Sequence, residues 1–230
     1  MKKFIFLALS SLLCVSCFQV NMNYKTGGKN AIKGEGPVMT KSLDFKDFDA
    51  ICVYGGADIE FTQSDTWEVS LKTQENIFDH LDYKVEDGVL MIQAEHFHTI
   101  IAKAYDLTIR APELRRIEVN GAGDVNVPAG IHSEGDIEIE VNGAGDLDFT
   151  GIACRDLKIE ANGAGDIDAT GLDVQALKIE ISGIGDVCVA GKAETATFDV
   201  SGIGDIDARG LTVAGEVNRN SAGIARIRVK

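Results

Sequence analysis

The sequence predicts an all-β chain, folded as a parallel β-solenoid with rungs of about 20 residues. Three observations carry this expectation. A Gly-x-Gly-Asp unit recurs at Gly121, Gly143, Gly163, Gly183 and Gly202, at spacings of 22, 20, 20 and 19 residues. Each unit is flanked by strict alternation of apolar and polar residues, as in Ile159-Glu160-Ala161-Asn162 before the turn and Ile167-Asp168-Ala169 after it. That period of two is the mark of a half-buried strand, with apolar side chains inward and carboxylates outward. The unit is also too short to contain a helix or to bury its own apolar face, so successive units must stack into one continuous core.

Taken from the N-terminus, residues 1–16 read as a signal peptide. Lys2 and Lys3 precede the apolar run Phe4 to Leu13, and small residues follow at the cleavage site. Ten apolar residues cannot cross a hydrocarbon core as a helix. Ser16-Cys17 resembles the cleavage site of bacterial lipoproteins, with Cys14 where that motif usually carries leucine. Cys17 is therefore the expected lipidation site, and its acyl chains (palmitate among them) the expected membrane anchor, each buried CH₂ contributing about 0.8 kcal/mol. Residues 17–32, rich in Asn, Gly and Lys without apolar periodicity, read as a flexible tether. Residues 33–230 read as a single domain.

Gly55-Gly56-Ala57-Asp58 is a degenerate early copy of the turn. Between it and Gly121 the texture is irregular. Trp67 to Thr73, Leu81 to Glu86, Val89 to Ala94 and Tyr105 to Arg110 alternate as strands, and Asp87-Gly88 is a hairpin-type turn. Glu75 to His80 reads as a short helical turn, and Phe97 to Lys103 as a loop or edge. In the regular part, glycine supplies the positive φ that a sharp corner calls for, and the following Asp can accept hydrogen bonds from turn N–H groups. On this reading the repeated motif is a corner rather than a binding site. The last copy, Gly223-Ile224-Ala225-Arg226-Ile227-Arg228, replaces two aspartates by arginines. Aligned stacking then places Arg226 beside Asp205 and Arg228 beside Asp207, at the end of two acidic columns.

Certain stretches resemble the bacterial family described as putative auto-transporter adhesin, head GIN domain. They are Phe45-Lys46-Asp47-Phe48-Asp49-Ala50-Ile51 leading to Gly55-Gly56-Ala57-Asp58, then Val85-Glu86-Asp87-Gly88-Val89-Leu90, then Ala111-Pro112-Glu113-Leu114 leading into Ile117 to Asp124. The resemblance implies a solenoid-like all-β fold and a cell-envelope setting, often as a lipoprotein of Gram-negative bacteria, here at the outer membrane. It brings no catalytic or binding residues with it.

The chemistry legible in the residues is sparse. The formal charge of −14 becomes two units more negative when Lys2 and Lys3 leave with the signal peptide. Such a surface repels nucleic acid, which is excluded as a partner. His80, His96, His98 and His132 form no triad and no zinc spacing, and His96 with His98 makes only half a tetrahedral site. From Ala111 onward the only aromatics are Phe149 and Phe198, which speaks against a polysaccharide-processing groove on the rungs.

Stacking predicts three outward carboxylate columns: Glu118, Glu140, Glu160, Glu180 and Asp199; Asp124, Asp146, Asp166, Asp186 and Asp205; and Asp148, Asp168 and Asp207. Among these, Asp146, Asp148, Asp166 and Asp168 are the calcium candidates, although the period departs from the nine-residue calcium-binding β-roll. Cys52, Cys154 and Cys188 are expected to be free and structural, an odd number being no disulfide framework.

No enzyme and no cofactor are expected. The expected function is that of a non-enzymatic envelope lipoprotein, an adhesin or binding module for a protein or glycan ligand, with homo-oligomerisation left open. The aromatic residues Tyr54, Phe61, Trp67, Tyr83 and Tyr105 place any contact patch in the irregular first part. The alternative is a periplasmic scaffold or envelope-stress protein, towards which the absence of an acidic run after Cys17 points.

Overall fold

The structure is a computed structural model that describes residues 31–230. The expected signal peptide, Cys17 and nearly all of the expected tether lie outside the described residues. Alternation of period two gives a molecule that is 73% strand, stacked as a parallel β-solenoid. Two short 3-10 segments, Glu75–His80 and Glu95–Phe97, are its only helical elements among the described residues. None is long and apolar enough to cross a membrane.

Each regular rung has one arm before the Gly-x-Gly-Asp corner and one after it. Arg116–Ala122, Ile137–Ala144, Ile152–Ala164, Ile167–Ile184, Val187–Val213 and Val217–Val229 stack in parallel. The register superposes Glu118, Glu140, Glu160, Glu180 and Asp199, and likewise Gly121, Gly143, Gly163, Gly183, Gly202 and Gly223. A third side, not expected from the sequence, closes the rung: Cys154 stacks on Val174, and Val174 on Ala193. The 19-residue spacing has a local cause on that side. The register shifts between Ala169 and Leu172, beside Gly171 at φ 68°, and one residue is absorbed as a bulge.

The core is a column of inward residues. Ile117, Ile139, Ile159, Ile179 and Phe198 are fully buried before the corner, and Val125, Leu147, Ile167, Val187 and Ile206 nearly so after it. Volume alternates where it must, because Phe149 lies beside Ala169 in the adjacent rung and the small side chain makes room for the ring.

Glycine is required at the corner for two reasons that act together. Gly163 has φ 151°, and a Cβ built on it would stand 1.7 Å from the carbonyl oxygen of Gly143 in the adjacent rung. The stack therefore needs the positive φ and also the bare Cα, since one rung's corner carbonyl occupies the space a side chain would fill in the next.

The irregular first part is a pair of rungs laid down out of order, with a cap over them. Ala50–Gly55 and Asp58–Gln63 form the rung beside Arg116–Ala122 and Val125–Val127, with Gly55 in register with Gly121. Val89–Ala94 and Tyr105–Ala111 form the rung outside it, although they come later in the chain. Antiparallel strands then cover this end. Leu81–Glu86 returns on Val89–Ala94 through Asp87 (φ 52°) and Gly88 (φ 75°), while Glu68–Gln74 lies on Tyr105–Ala111 and Val38–Leu43 on Glu68–Gln74. The segment expected as a loop or edge holds the short strand Thr99–Ile101, which pairs with Ala31–Lys33. The chain is thus in regular structure from Ala31, two residues before the start expected for the domain.

Candidate functional site

The outward columns are the first place to look for chemistry, and local hydrogen bonds account for them. Four corner aspartates accept the backbone N–H of the corresponding Asp one rung on: Asp146 N–H to Asp124 Oδ1 at 2.8 Å, Asp166 to Asp146 at 2.9 Å, Asp186 to Asp166 at 2.8 Å and Asp205 to Asp186 at 2.7 Å. An N–H directed at each carboxylate offsets the stacking of like charges. The Glu column is threaded by cations instead. Arg116 lies 2.9 Å from both Glu118 and Glu140, and Lys158 lies 2.6 Å from Glu160 and 3.2 Å from Glu138. Burial raises the Glu160 pKa, and hydrogen bonds with Glu160 and Lys178 lower that of Glu180. Asn120, Asn142 and Asn162 form an amide ladder alongside, at 3.1 and 3.0 Å.

Of the calcium candidates, Asp146 and Asp166 each commit one oxygen to a backbone N–H. Asp148 and Asp168 are register neighbours, but the next position in their column is Cys188, which interrupts the expected run to Asp207. Among the described residues no three His, Cys, Asp or Glu side chains gather as a metal-ligand set. At the last rung, Arg226 is in register with Asp205 and Arg228 with Asp207. The ion pair itself is diagonal, Arg228 Nη2 lying 3.0 Å from Asp205 Oδ2. Asp207 is already held by Arg209, whose Nε donates to it at 2.8 Å, and these bonds lower its pKa to about 2.

The aromatic candidates divide by burial. Phe61 and Tyr105 belong to the core, while Tyr54, Trp67 and Tyr83 are half-buried. Burial raises the pKa of Tyr83 to about 12 and that of Tyr105 further. His96 and His98 stand edge to face, 5.8 Å between ring centroids. Cys52 and Cys154 are buried and Cys188 is exposed, all three free.

One of these aromatics lines a groove. Four chain segments converge at the capped end around Trp67 and line an open groove of about 460 Å³, bordered by Asp47, Phe48, Asp49, Asp87, Pro112 and Arg115, among others. The indole is fixed by its Nε1–H, which donates to the Phe48 carbonyl at 2.9 Å. Arg115 is fixed by Asp49 twice, through Nε to Oδ1 at 2.7 Å and through its backbone N–H to the Asp49 carbonyl at 2.8 Å. Asp47 (φ 60°) and Asp87 (φ 52°), two of the three non-glycine residues with positive φ among the described residues, both border this groove. At Asp87 the positive φ belongs to the Asp-Gly hairpin turn, and aspartate adopts this backbone conformation more readily than most residues. The groove thus offers an aromatic face, carboxylates in excess over one paired cation, and a braced wall. Apart from Trp67, the sequence singled out none of these residues for binding. Yet Asp47 to Asp49, Asp87-Gly88 and Pro112-Glu113 all lie in the stretches that carry the family resemblance, and the fold brings those stretches together here.

This rung geometry and cap define a class of parallel β-solenoid domain. The chain belongs to the family described as putative auto-transporter adhesin, head GIN domain, whose model matches residues 47–230. Similar solved structures include a putative adhesin from Parabacteroides distasonis, with a TM-score of 0.73 at 18% identity, covering 87% of this chain and 100% of that one. A putative lipid binding protein from the same species has a TM-score of 0.71 at 21% identity, over 86% of this chain and 100% of that one. A putative adhesin from Bacteroides fragilis has a TM-score of 0.69 at 20% identity, with the same coverage. At these identities the likeness is one of fold. No curated protein matches the chain.

Proposed function

We propose that this chain is a non-enzymatic binding module of the bacterial cell envelope, tethered to the outer membrane by lipid on Cys17, and that it attaches to a glycan or protein ligand through the groove beside Trp67. The observation that carries this reading is the groove itself, an indole pinned by Phe48 among Asp47, Asp49, Asp87 and Arg115. An aromatic face packs on sugar rings or apolar side chains, and the surrounding carboxylates accept hydrogen bonds from hydroxyls or amines. Membership of an adhesin-named family and fold likeness to proteins titled as adhesins support the same reading.

The test is retention of cells carrying the full chain on a mucin-coated surface, compared with cells carrying Trp67→Ala at equal surface amount. Loss of retention is expected with the variant; equal retention contradicts the site. A scaffold role on the periplasmic face is the second reading, favoured by the sequence after Cys17, Phe-Gln-Val-Asn-Met-Asn, which contains no acidic run. Protease treatment of intact cells separates the two, because an adhesin is cleaved and a periplasmic scaffold is spared.

A further inference from the structure

The two ends of the solenoid differ. Antiparallel strands cover the first end, whereas the last strand, Val217–Val229, pairs with Val187–Val213 along one edge and has no strand partner on the other among the described residues. Its inward positions are open and only partly apolar: Val217, Ile227 and Val229 are partly exposed, where their neighbours in register, Ala196, Ile206 and Ala208, are at most 1% exposed, and the exposed Arg219 and Ser221 stand in register with buried Phe198 and Val200. An apolar ridge leads to the same edge. The middle residue of the corner is alanine in the first three regular rungs and isoleucine in the last three, and Ile184, Ile203 and Ile224 are 62, 52 and 76% exposed.

Charge distinguishes this edge from the rest of the molecule. From Val217 to Lys230 there are four cations, Arg219, Arg226, Arg228 and Lys230, and no carboxylate, in a chain of formal charge −14. A second copy meeting it edge to edge would bring eight cations together, so self-pairing is disfavoured. The neighbour on the inner side shows which sequence fits: Asp205 and Asp207 stand in register with Arg226 and Arg228, and Gly202 with Gly223.

We propose that the open edge of Val217–Val229 is a docking site for an extended acidic segment of a partner protein, which adds in parallel as one further rung. Backbone hydrogen bonds give such an addition its affinity, and alternate side chains give it specificity. The incoming segment sets carboxylates beside Arg226 and Arg228, and apolar side chains over Val217, Ile227 and Val229. It needs glycine where its chain passes Gly223, because corner carbonyls fill the space of a side chain throughout the stack. This site is separate from the groove at Trp67 and does not depend on it.

The probe is a fluorescein-labelled synthetic peptide with the sequence of residues 196–208, titrated with the full chain and followed by fluorescence anisotropy. Saturable binding is expected, about tenfold weaker for the peptide with its three aspartates changed to asparagine and for the protein with Arg226→Gln and Arg228→Gln. The peptide arm leaves the protein untouched, so it decides the matter even if the protein variant folds poorly. Absence of saturation at about 1 mM, equal affinity for the asparagine peptide, or a dimer in sedimentation whose formation depends on Ile224 would overturn the proposal.

Discussion

At the scale of single residues, the corner glycines are the positions on which the stack depends most. Gly163→Ala forces a side chain into the Gly143 carbonyl at a φ of 151°, and is expected to cost about 3 kcal/mol or more in chemical denaturation. Gly135→Ala, whose nearest neighbour would be Ser133 Oγ at 3.7 Å, should stay within about 0.5 kcal/mol. The cysteines offer a second check. Burial raises the thiol pKa of Cys52 and of Cys154 to about 12, so neither presents thiolate at pH 8. Iodoacetamide at that pH should label exposed Cys188 in the folded protein, and Cys52 and Cys154 only once the chain is unfolded. The glycine spacing was plain in the sequence. Its steric cause was not, because the clash lies between residues some twenty positions apart and exists only once the register is known.

Among the elements, the ladder of corner aspartates shows how stacked carboxylates find donors within the stack itself. Asp166 accepts the Asp186 N–H at 2.8 Å. Asp166→Ala removes a charged acceptor and leaves the exposed N–H to water, and should destabilise by about 1 kcal/mol. Asp166→Asn keeps an acceptor oxygen and removes one like charge, so it should change stability by less than about 0.5 kcal/mol. A common loss in both variants would mean that charge rather than the hydrogen bond holds the ladder. The columns were legible because repeats align themselves, and the arginine positions at the last rung followed from the same alignment. Cys188, beside Asp168 in the third column, was there to be read from the same alignment. One detail did not follow. Arg228 reaches Asp205 because Asp207 is held by its near neighbour Arg209, a competition between side chains that strand register does not encode. The order of the first two rungs was also hidden: one diverged Gly-Gly-Ala-Asp turn marks a rung, but nothing local says that Val89–Ala111 stacks outside it.

Over the whole molecule, the stack has a covered end bearing a braced aromatic groove and an uncovered end bearing cations. The sequence places most of the large aromatic side chains in the first part. Sorting them into core and surface required the fold, since Phe61 and Trp67 lie six residues apart on alternating chain and only one of them borders the groove. The segments that form the groove wall lie far apart in sequence, and their convergence depends on the out-of-order rungs. Trp67 is the one tryptophan of the chain, so its emission reports on the groove without interference. The most direct test of the account is therefore to titrate the full chain with oligosaccharides released from mucin and to follow tryptophan fluorescence. A saturable change in intensity or emission maximum, weakened by Asp49→Ala or Asp87→Gly, is the predicted result. An emission spectrum unmoved by mucin oligosaccharides and by intact mucin alike, in a chain that still holds cells to the mucin surface, would contradict the groove as the site of attachment.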